Sequence, residues 1–327
     1  MTRRDTHWIV GPGALGRLIG LRLATRAAPS PAVILIGRRR LPVEQSLVTP
    51  RGETLEAAVN TATLKALPAI PPRVVHLTTK AYAAEEAHLA LAPHLPVGTP
   101  LVLWQNGFGC QPRLSRRHDG PVLCATTTEG AYLDDKAAGD SGVVHAGHGE
   151  TLVGALDGRH AELADELAAT LSAAGLPARS VADIRQRLWQ KLAVNAAINP
   201  LVARFRIRNG QLRDRPFRPM VETIIAEVAA ILAAEGITPP GVTGVEANAS
   251  AEAIEGWRAL VWRVVEGTAG NRASMLQDVL AGRPTEHDAI LGPLLAAAAA
   301  HRLAAPHLTE LADRLREREL ARSRNPC

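Results

Sequence analysis

The chain has 327 residues, 46% of them hydrophobic, with a formal net charge of +5 at pH 7. That length exceeds what one core usually supports, so two domains are expected. No apolar run is long enough to span a membrane, and five Trp, two Tyr and three Phe give no stacking platform for single-stranded nucleic acid. Much of the arginine alternates with acids, as in Asp313-Arg314-Leu315-Arg316-Glu317-Arg318-Glu319, which reads as a solvated helix face. The positive balance therefore suits an anionic small molecule, with neither nucleic acid nor membrane as partner. Cys110, Cys124 and Cys327 have no metal-like spacing, and Met1 to Asp5 runs into a strand instead of a signal-peptide core. Both features lead us to expect a cytoplasmic protein without a disulfide framework.

The first half reads as alternating strands and helices. A short apolar strand, His7 to Val10, leads into Gly11-Pro12-Gly13-Ala14-Leu15-Gly16, and Ala14 to Ala27 follows as a helix. Glycines at these three positions, between a strand and a helix, permit a tight turn, a close backbone approach to a pyrophosphate and close helix–strand packing. The anion would rest on the helix N-terminus. The second strand, Val33 to Ile36, ends in Gly37-Arg38-Arg39-Arg40. An acid there would accept from the ribose hydroxyls of NAD, whereas arginines suit a 2′-phosphate, so the expected cofactor is NADPH. A solvated basic turn is the plain alternative.

Further strands are expected at Val74 to Thr79 and Leu101 to Trp104, with a helix from Ala83 to Ala92 between them. Lys80 follows the first of these strands directly, and Asn106 follows the second, just before Gly107. Both stand where ligands bind in open α/β sheets, although either could simply cap the next turn. Val122 to Ala125, Gly142 to His145 and Thr151 to Gly154 are also expected as strands, the last two as a hairpin. A helix from Glu162 and a strand at Ala178 to Val181 complete this half. The order implies a mostly parallel sheet with helices on both faces. His145 and His148 lie in a glycine-rich turn with no third ligand evident in the sequence, so we expect no metal.

Beyond Asp183 the pattern becomes wholly helical: Arg185 to Ala203, Pro219 to Glu235, Trp257 to Leu280, Thr285 to Arg302 and Thr309 to Ser323. The expected division is therefore 1–182 and 183–327. In the first of these helices Lys191, Asn195 and Asn199 recur at steps of four, and every residue between them is apolar. One cation and two carboxamides in a drifting row on an otherwise apolar helix must face either solvent or a wet slot, because desolvating them unpaired costs several kcal/mol, roughly. Asn271, Ser274 and Asp278 form a second polar row. Thr285 stands as the N-cap of the next helix with Asp288 in a capping-box position, and Glu286 falls in the first turn.

Taken in order, these motifs resemble the ketopantoate reductase (2-dehydropantoate 2-reductase) family along nearly the whole chain. The glycine loop Gly11 to Gly16, Arg38, Lys80 and Gln105-Asn106-Gly107 match its first half. Lys191 to Pro200 matches its K-L-x-x-N-x-x-x-N-P signature, Ser274 to Asp278 its S-M-L-Q-D segment, and Thr285-Glu286 its T-E pair. The resemblance implies a Rossmann-like dinucleotide-binding domain followed by an all-α domain like the C-terminal domain of 6-phosphogluconate dehydrogenase. It implies NADPH-dependent reduction of ketopantoate to pantoate, a step toward pantothenate, with Lys191 as general acid and Glu286 orienting the substrate and the lysine. Asn195, Asn199, Asn209 and Ser274 would hold the substrate, Asn106 would lie near substrate and nicotinamide, and Gly11, Pro12, Gly13, Ala14, Leu15, Gly16, Arg38 and Lys80 would hold the cofactor. Glu129, after Thr126-Thr127-Thr128, departs from some members. The alternatives are a reductase of another 2-keto acid on the same framework and a catalytically idle NADPH-binding or sensor protein. A homodimer is among the assemblies the sequence leaves open.

Overall fold

The computed structural model describes residues 5–27, 30–134, 141–241 and 251–324. Its Cα packing falls into two units, one of residues 1–105 and 110–185, the other of 106–109 and 186–327. The segment Asn106–Gly109 thus goes with the helical unit although it follows a strand of the α/β unit.

In chain order the α/β unit contains β1 (Thr6–Val10), α1 (Ala14–Thr25), β2 (Ala32–Gly37), β3 (Glu44–Val48), β4 (Thr54–Ala58), β5 (Asn60–Thr63), β6 (Val74–Leu77), α2 (Ala84–Leu91), β7 (Leu101–Leu103), α3 (Cys110–Arg117), β8 (Val122–Thr127), β9 (Gly130–Leu133), β10 (Gly142–Gly147), β11 (Thr151–Gly154), α4 (Ala161–Ala173) and β12 (Ala178–Ser180). Eight strands form one sheet in the order β12-β11-β8-β7-β6-β1-β2-β5. Every pairing is parallel except β8 with β11. The central strands are mostly apolar because both faces are covered: all of β1, β6 and β7 is buried, with Thr6, His7 and His76 the polar exceptions. Strand order reverses at β1 and β6, which makes the carboxyl ends of these two strands the switch point where such sheets bind ligands.

A second sheet runs β4-β3-β10-β9, and α1 packs against it as well as against β1 and β2. The sequence signalled β10 but not its partners. Glu44-Gln45-Ser46-Leu47-Val48 opens polar, and β4 alternates between exposed and half-buried positions with only one β-branched residue, so neither carries a strong strand pattern. The expected hairpin of β10 with β11 is not formed. β10 pairs with β3 and β9, whereas β11 pairs with β8 and β12.

Two hydrogen-bonded relays carry buried polarity in this unit. Trp104 Nε1 donates to His76 Nδ1 at 3.2 Å, so the proton of His76 lies on Nε2 and is given to His7 Nδ1 at 2.9 Å. The remaining His7 nitrogen faces Asp5 at 3.4 Å. On α1, Arg22 donates to His145 Nδ1 at 2.8 Å, and His145 Nε2 donates to Glu129 at 2.6 Å. An uncharged imidazole thus bridges a guanidinium on the helix to a carboxylate beside the small sheet.

The helical unit contains α5 (Ile184–Phe205, which begins in the α/β unit), α6 (Phe217–Ala234), α7 (Ala251–Gly267), α8 (Ser274–Leu280), α9 (His287–Ala300) and α10 (Pro306–Arg324). Their inner faces meet in one core that includes Leu192, Val202, Ile224, Trp257 and Leu291. The single helix expected from Trp257 to Leu280 is broken between α7 and α8 at 268–273, where Thr268 and Gly270 turn the chain. Thr285 does not cap α9. Its N–H and hydroxyl both donate to Glu319 at 2.7 Å, and Glu286 takes the cap position without a side-chain cap bond.

Burial, and secondarily the neighbouring His7, hold His76 well below its ordinary pKa. The folded chain therefore refuses a proton that the unfolded chain accepts below about pH 6.5, and stability present above that pH declines as the pH falls. One such group costs about 1.4 kcal/mol per pH unit, and His88 and His145 are shifted in the same direction. Urea unfolding should show a lower midpoint at about pH 5.5 than at about pH 7, and His76→Gln should flatten that dependence. An unchanged slope in the variant would mean that His76 is protonated without unfolding.

Candidate active site

The glycine loop lies at the switch point of the sheet. Gly11 has φ of +90°, and a Cβ there would stand 2.6 Å from the Thr79 backbone nitrogen, so no other residue fits between β1 and the end of β6. Gly16 meets Thr78 Oγ1 and the Gly11 carbonyl in the same way. Gly13 differs, because nothing lies within 4 Å of the position its Cβ would take, and it caps α1 with no side-chain hydrogen bond. An open space above an uncapped helix N-terminus fits the pyrophosphate of a dinucleotide. The Pro12 carbonyl is held from behind by the buried Arg17, whose Nε donates to it at 3.0 Å. Ala14 and Leu15 form the first turn of α1. Arg38, Arg39 and Arg40 are exposed immediately after β2, and Lys80 is half-buried immediately after Thr79.

The other predicted site residues belong to the helical unit. α5 is buried on nearly all sides, with Leu192, Ala193, Val194, Ala196, Ala197 and Ile198 all in the core. Along its polar row Lys191 and Asn195 are half-buried, and Asn199 is 7% exposed. None of the three is a solvent-facing stripe. Burial lowers the Lys191 ammonium from 10.5 to about 8, and the Glu286 carboxylate opposes that shift. Glu286 itself is 6% exposed.

Asn106 reaches the same region through its own loop. Phe108 N–H donates to the Ala289 carbonyl in the first turn of α9, three residues after Glu286, at 3.1 Å. Gly107 sits at φ +84°, and any Cβ there would collide with the Ala289 carbonyl. The Phe108 ring lies 5.1 Å from that of Trp189, two residues before Lys191. Asn106 is therefore anchored beside the helix of Glu286 and the helix of Lys191.

Asn209, 6% exposed, opens a short 3-10 turn at Asn209–Arg213. Its backbone N–H donates to the Asn271 carbonyl at 3.1 Å, and its Nδ2 donates to Thr268 Oγ1 at 2.9 Å. Its Oδ1 is buried with no hydrogen-bond partner among the described residues. The loop that holds it runs on into Ser274, which is exposed at the start of α8. Asp278, from the same sequence row, is buried and accepts from Arg283 at 3.0 Å, a structural role. Sequence reasoning missed Thr268, because no spacing rule links residues 59 positions apart.

It also missed Glu129 as a third group beside His145 and His148, whose ligand atoms all lie within 4.8 Å of one another. A metal would need the Nε2 lone pair of His145. With Arg22 donating to Nδ1, that ring must carry its proton on Nε2, so the cluster is an ion-pair relay and not a ligand set.

Comparison with known proteins covers nearly the whole chain. The family model described as ketopantoate reductase PanE/ApbA matches residues 8–158, and the model of its C-terminal part matches residues 183–319. The chain is 34% identical over 305 residues to the 2-dehydropantoate 2-reductase of Vibrio cholerae, covering 91% of this chain and 92% of that one. It is 35% identical over 290 residues to that of Archaeoglobus fulgidus, covering 88% of each. Among solved structures, a PanE/ApbA family ketopantoate reductase from Ralstonia eutropha superposes with a TM-score of 0.82 at 24% identity, covering 97% of this chain and 99% of that one. A D-mandelate dehydrogenase in complex with NADH and anilino(oxo)acetate gives 0.81 at 22%, with the same coverage, a likeness of fold alone. Matches to both halves of the family model, in the right order, and relatives aligned along most of the sequence establish that this chain belongs to the ketopantoate reductase family, a family of oxidoreductases with a Rossmann-like domain.

Proposed function

We propose that the protein reduces ketopantoate to pantoate with NADPH, and that Lys191 delivers the proton. The observation that carries this reading is an ammonium brought down to about 8 on a helix otherwise committed to the core, with the Glu286 carboxylate acting on it. The naming of relatives at 34% and 35% identity as 2-dehydropantoate 2-reductases supports ketopantoate as the substrate.

Residues Gly11 to Gly16, together with Lys80, which directly follows the Thr79 that Gly11 approaches, would hold the cofactor, and Arg38 would take its 2′-phosphate. When bound, the nicotinamide supplies the hydride that forms the new C–H bond at the keto carbon. Lys191 polarises the keto oxygen as a cation and transfers a proton to it as the C=O bond becomes C–O, leaving a neutral amine that regains its proton from water. A pKa near 8 serves both tasks: the group is mostly charged at neutral pH yet parts readily with its proton. Glu286 keeps the ammonium charged and oriented. Asn106, Asn195, Asn199, Asn209 and Ser274 bind hydroxyl and carboxylate oxygens through neutral groups, adding no charge to compete with the acid. The reading places the enzyme on the route to pantothenate.

Arg38→Asp should shift preference from NADPH toward NADH, measured as the ratio of kcat/KM for the two cofactors. Equal efficiencies in the unaltered protein would sink the proposed NADPH preference.

Lys191→Ala should lower kcat by about two to four orders of magnitude while NADPH affinity changes little. In the unaltered protein kcat/KM should be level below about pH 8 and decline above it, because the donor is the protonated form. A near-normal kcat in the variant would make the lysine structural.

Asn199→Ala and Ser274→Ala should each lower kcat/KM for ketopantoate roughly threefold to a hundredfold and leave NADPH binding alone. The larger loss is expected at Asn199, where a partner would be left buried. The pair should be non-additive in a double-mutant cycle, and simple additivity would argue that they do not share one ligand.

A further inference from the structure

We propose that Thr268 is a positioning residue that fixes the amide of Asn209 so that the site reads a hydroxyl on the substrate. The inference rests on Asn209 being a substrate ligand, as proposed above, and adds what that ligand selects.

A carboxamide can present either its oxygen or its NH2 to a given neighbour, and the two orientations are nearly isosteric. Here the neighbour decides. Thr268 Oγ1 lies 2.6 Å from the Val264 carbonyl oxygen, one turn back on α7. Two oxygens approach that closely only with a proton between them, and the carbonyl has none to give. The single hydroxyl proton of Thr268 is therefore spent on Val264. Toward Asn209, at 2.9 Å, Thr268 can act only as an acceptor, so the group facing it must be the NH2. Oδ1 is turned the other way, and it is buried without a partner.

The backbone prevents the amide from escaping this choice. Asn209 N–H is bonded to Asn271, Gly210 N–H to Ala269 at 3.0 Å, and Arg208 to the Gly270 carbonyl at 2.7 Å. These bonds fasten the turn to the 268–271 loop that carries Thr268. The result is a preset acceptor with no donor among the described residues. Leaving such a group buried and empty is costly, and a substrate hydroxyl would satisfy it. A ligand lacking that hydroxyl leaves the acceptor unpaired, which is the situation in which a polar site discriminates strongly. Ketopantoate carries one hydroxyl besides its keto acid group; trimethylpyruvate is the same keto acid without it.

The test measures kcat/KM for both keto acids with NADPH in the unaltered protein, T268V, T268S and N209A. The unaltered protein should favour ketopantoate by about tenfold to a hundredfold. T268V has nearly the same shape but offers no acceptor to the NH2 of Asn209 and should bring the ratio to within about threefold. N209A should collapse the ratio likewise. T268S restores the hydroxyl and should restore the ratio. If T268V lowers both substrates equally, or T268S fails to rescue, Thr268 is merely structural and the inference is overturned. A ratio near one in the unaltered protein also overturns it, while leaving ketopantoate reduction standing. Turnover of other 2-keto acids but of neither of these would overturn the functional reading and this inference with it.

Discussion

A lysine ammonium stripped of most of its water must be compensated or it loses its proton, and the helical unit is arranged around that constraint. α5 gives nearly all of its surface to the core, leaving Lys191, Asn195 and Asn199 as its polar row. Desolvation lowers the ammonium, while a buried carboxylate at the head of α9 limits the fall. Neither influence alone would leave the ammonium near 8. Without Glu286 the amine would tend toward neutrality, and in water it would hold its proton too firmly. The loop of Asn106 is built onto the same two helices, through Ala289 and Trp189. The ammonium and its surroundings are therefore set largely by helix packing.

Much of this was legible in the sequence, for identifiable reasons. Buried parallel strands such as β2 are apolar almost throughout, and Gly11 and Gly16 of the loop are required by close approach to Thr79 and Thr78, so pattern and cause coincide. The row at steps of four in α5 stood out because its background is so uniformly apolar. The small sheet was not legible. β3, β4 and β9 are short and partly exposed, and their pairing is decided by α1 lying against them. The break between α7 and α8 hid behind a continuous helical periodicity, although Gly267, Thr268, Gly270 and Asn271 cluster there as a turn signal. Thr285 has the residue type of a cap, but Glu319 on α10 offered its hydroxyl and N–H a better partner. At Thr285 a tertiary contact overrides a local preference, whereas at the α7–α8 break the local signal itself marks the turn.

The two imidazole relays show another economy. In each, a donor on one ring nitrogen dictates the tautomer of the other, so a neutral side chain carries polarity through the core without a buried net charge. Arg22 and Glu129 are oppositely charged but not directly paired. Joining them through His145 ties α1, the helix whose N-terminus would receive a pyrophosphate, to the small sheet on its other side.

The assignment of Asn106–Gly109 to the helical unit has a consequence for modularity. The chain passes between the units after residue 105, again after 109, and finally after 185. The helical unit is therefore not one contiguous stretch: a piece of its own body is threaded in from the strand side, held by Phe108 on Ala289 and by a Gly107 that tolerates no side chain. Recombination at a single point near residue 185 would separate that piece from the helices it completes. A lineage that exchanged dinucleotide domains at that junction would have to bring a compatible Asn106-Gly107-Phe108 with every new one, which binds the evolution of the two halves together more tightly than a simple linker would.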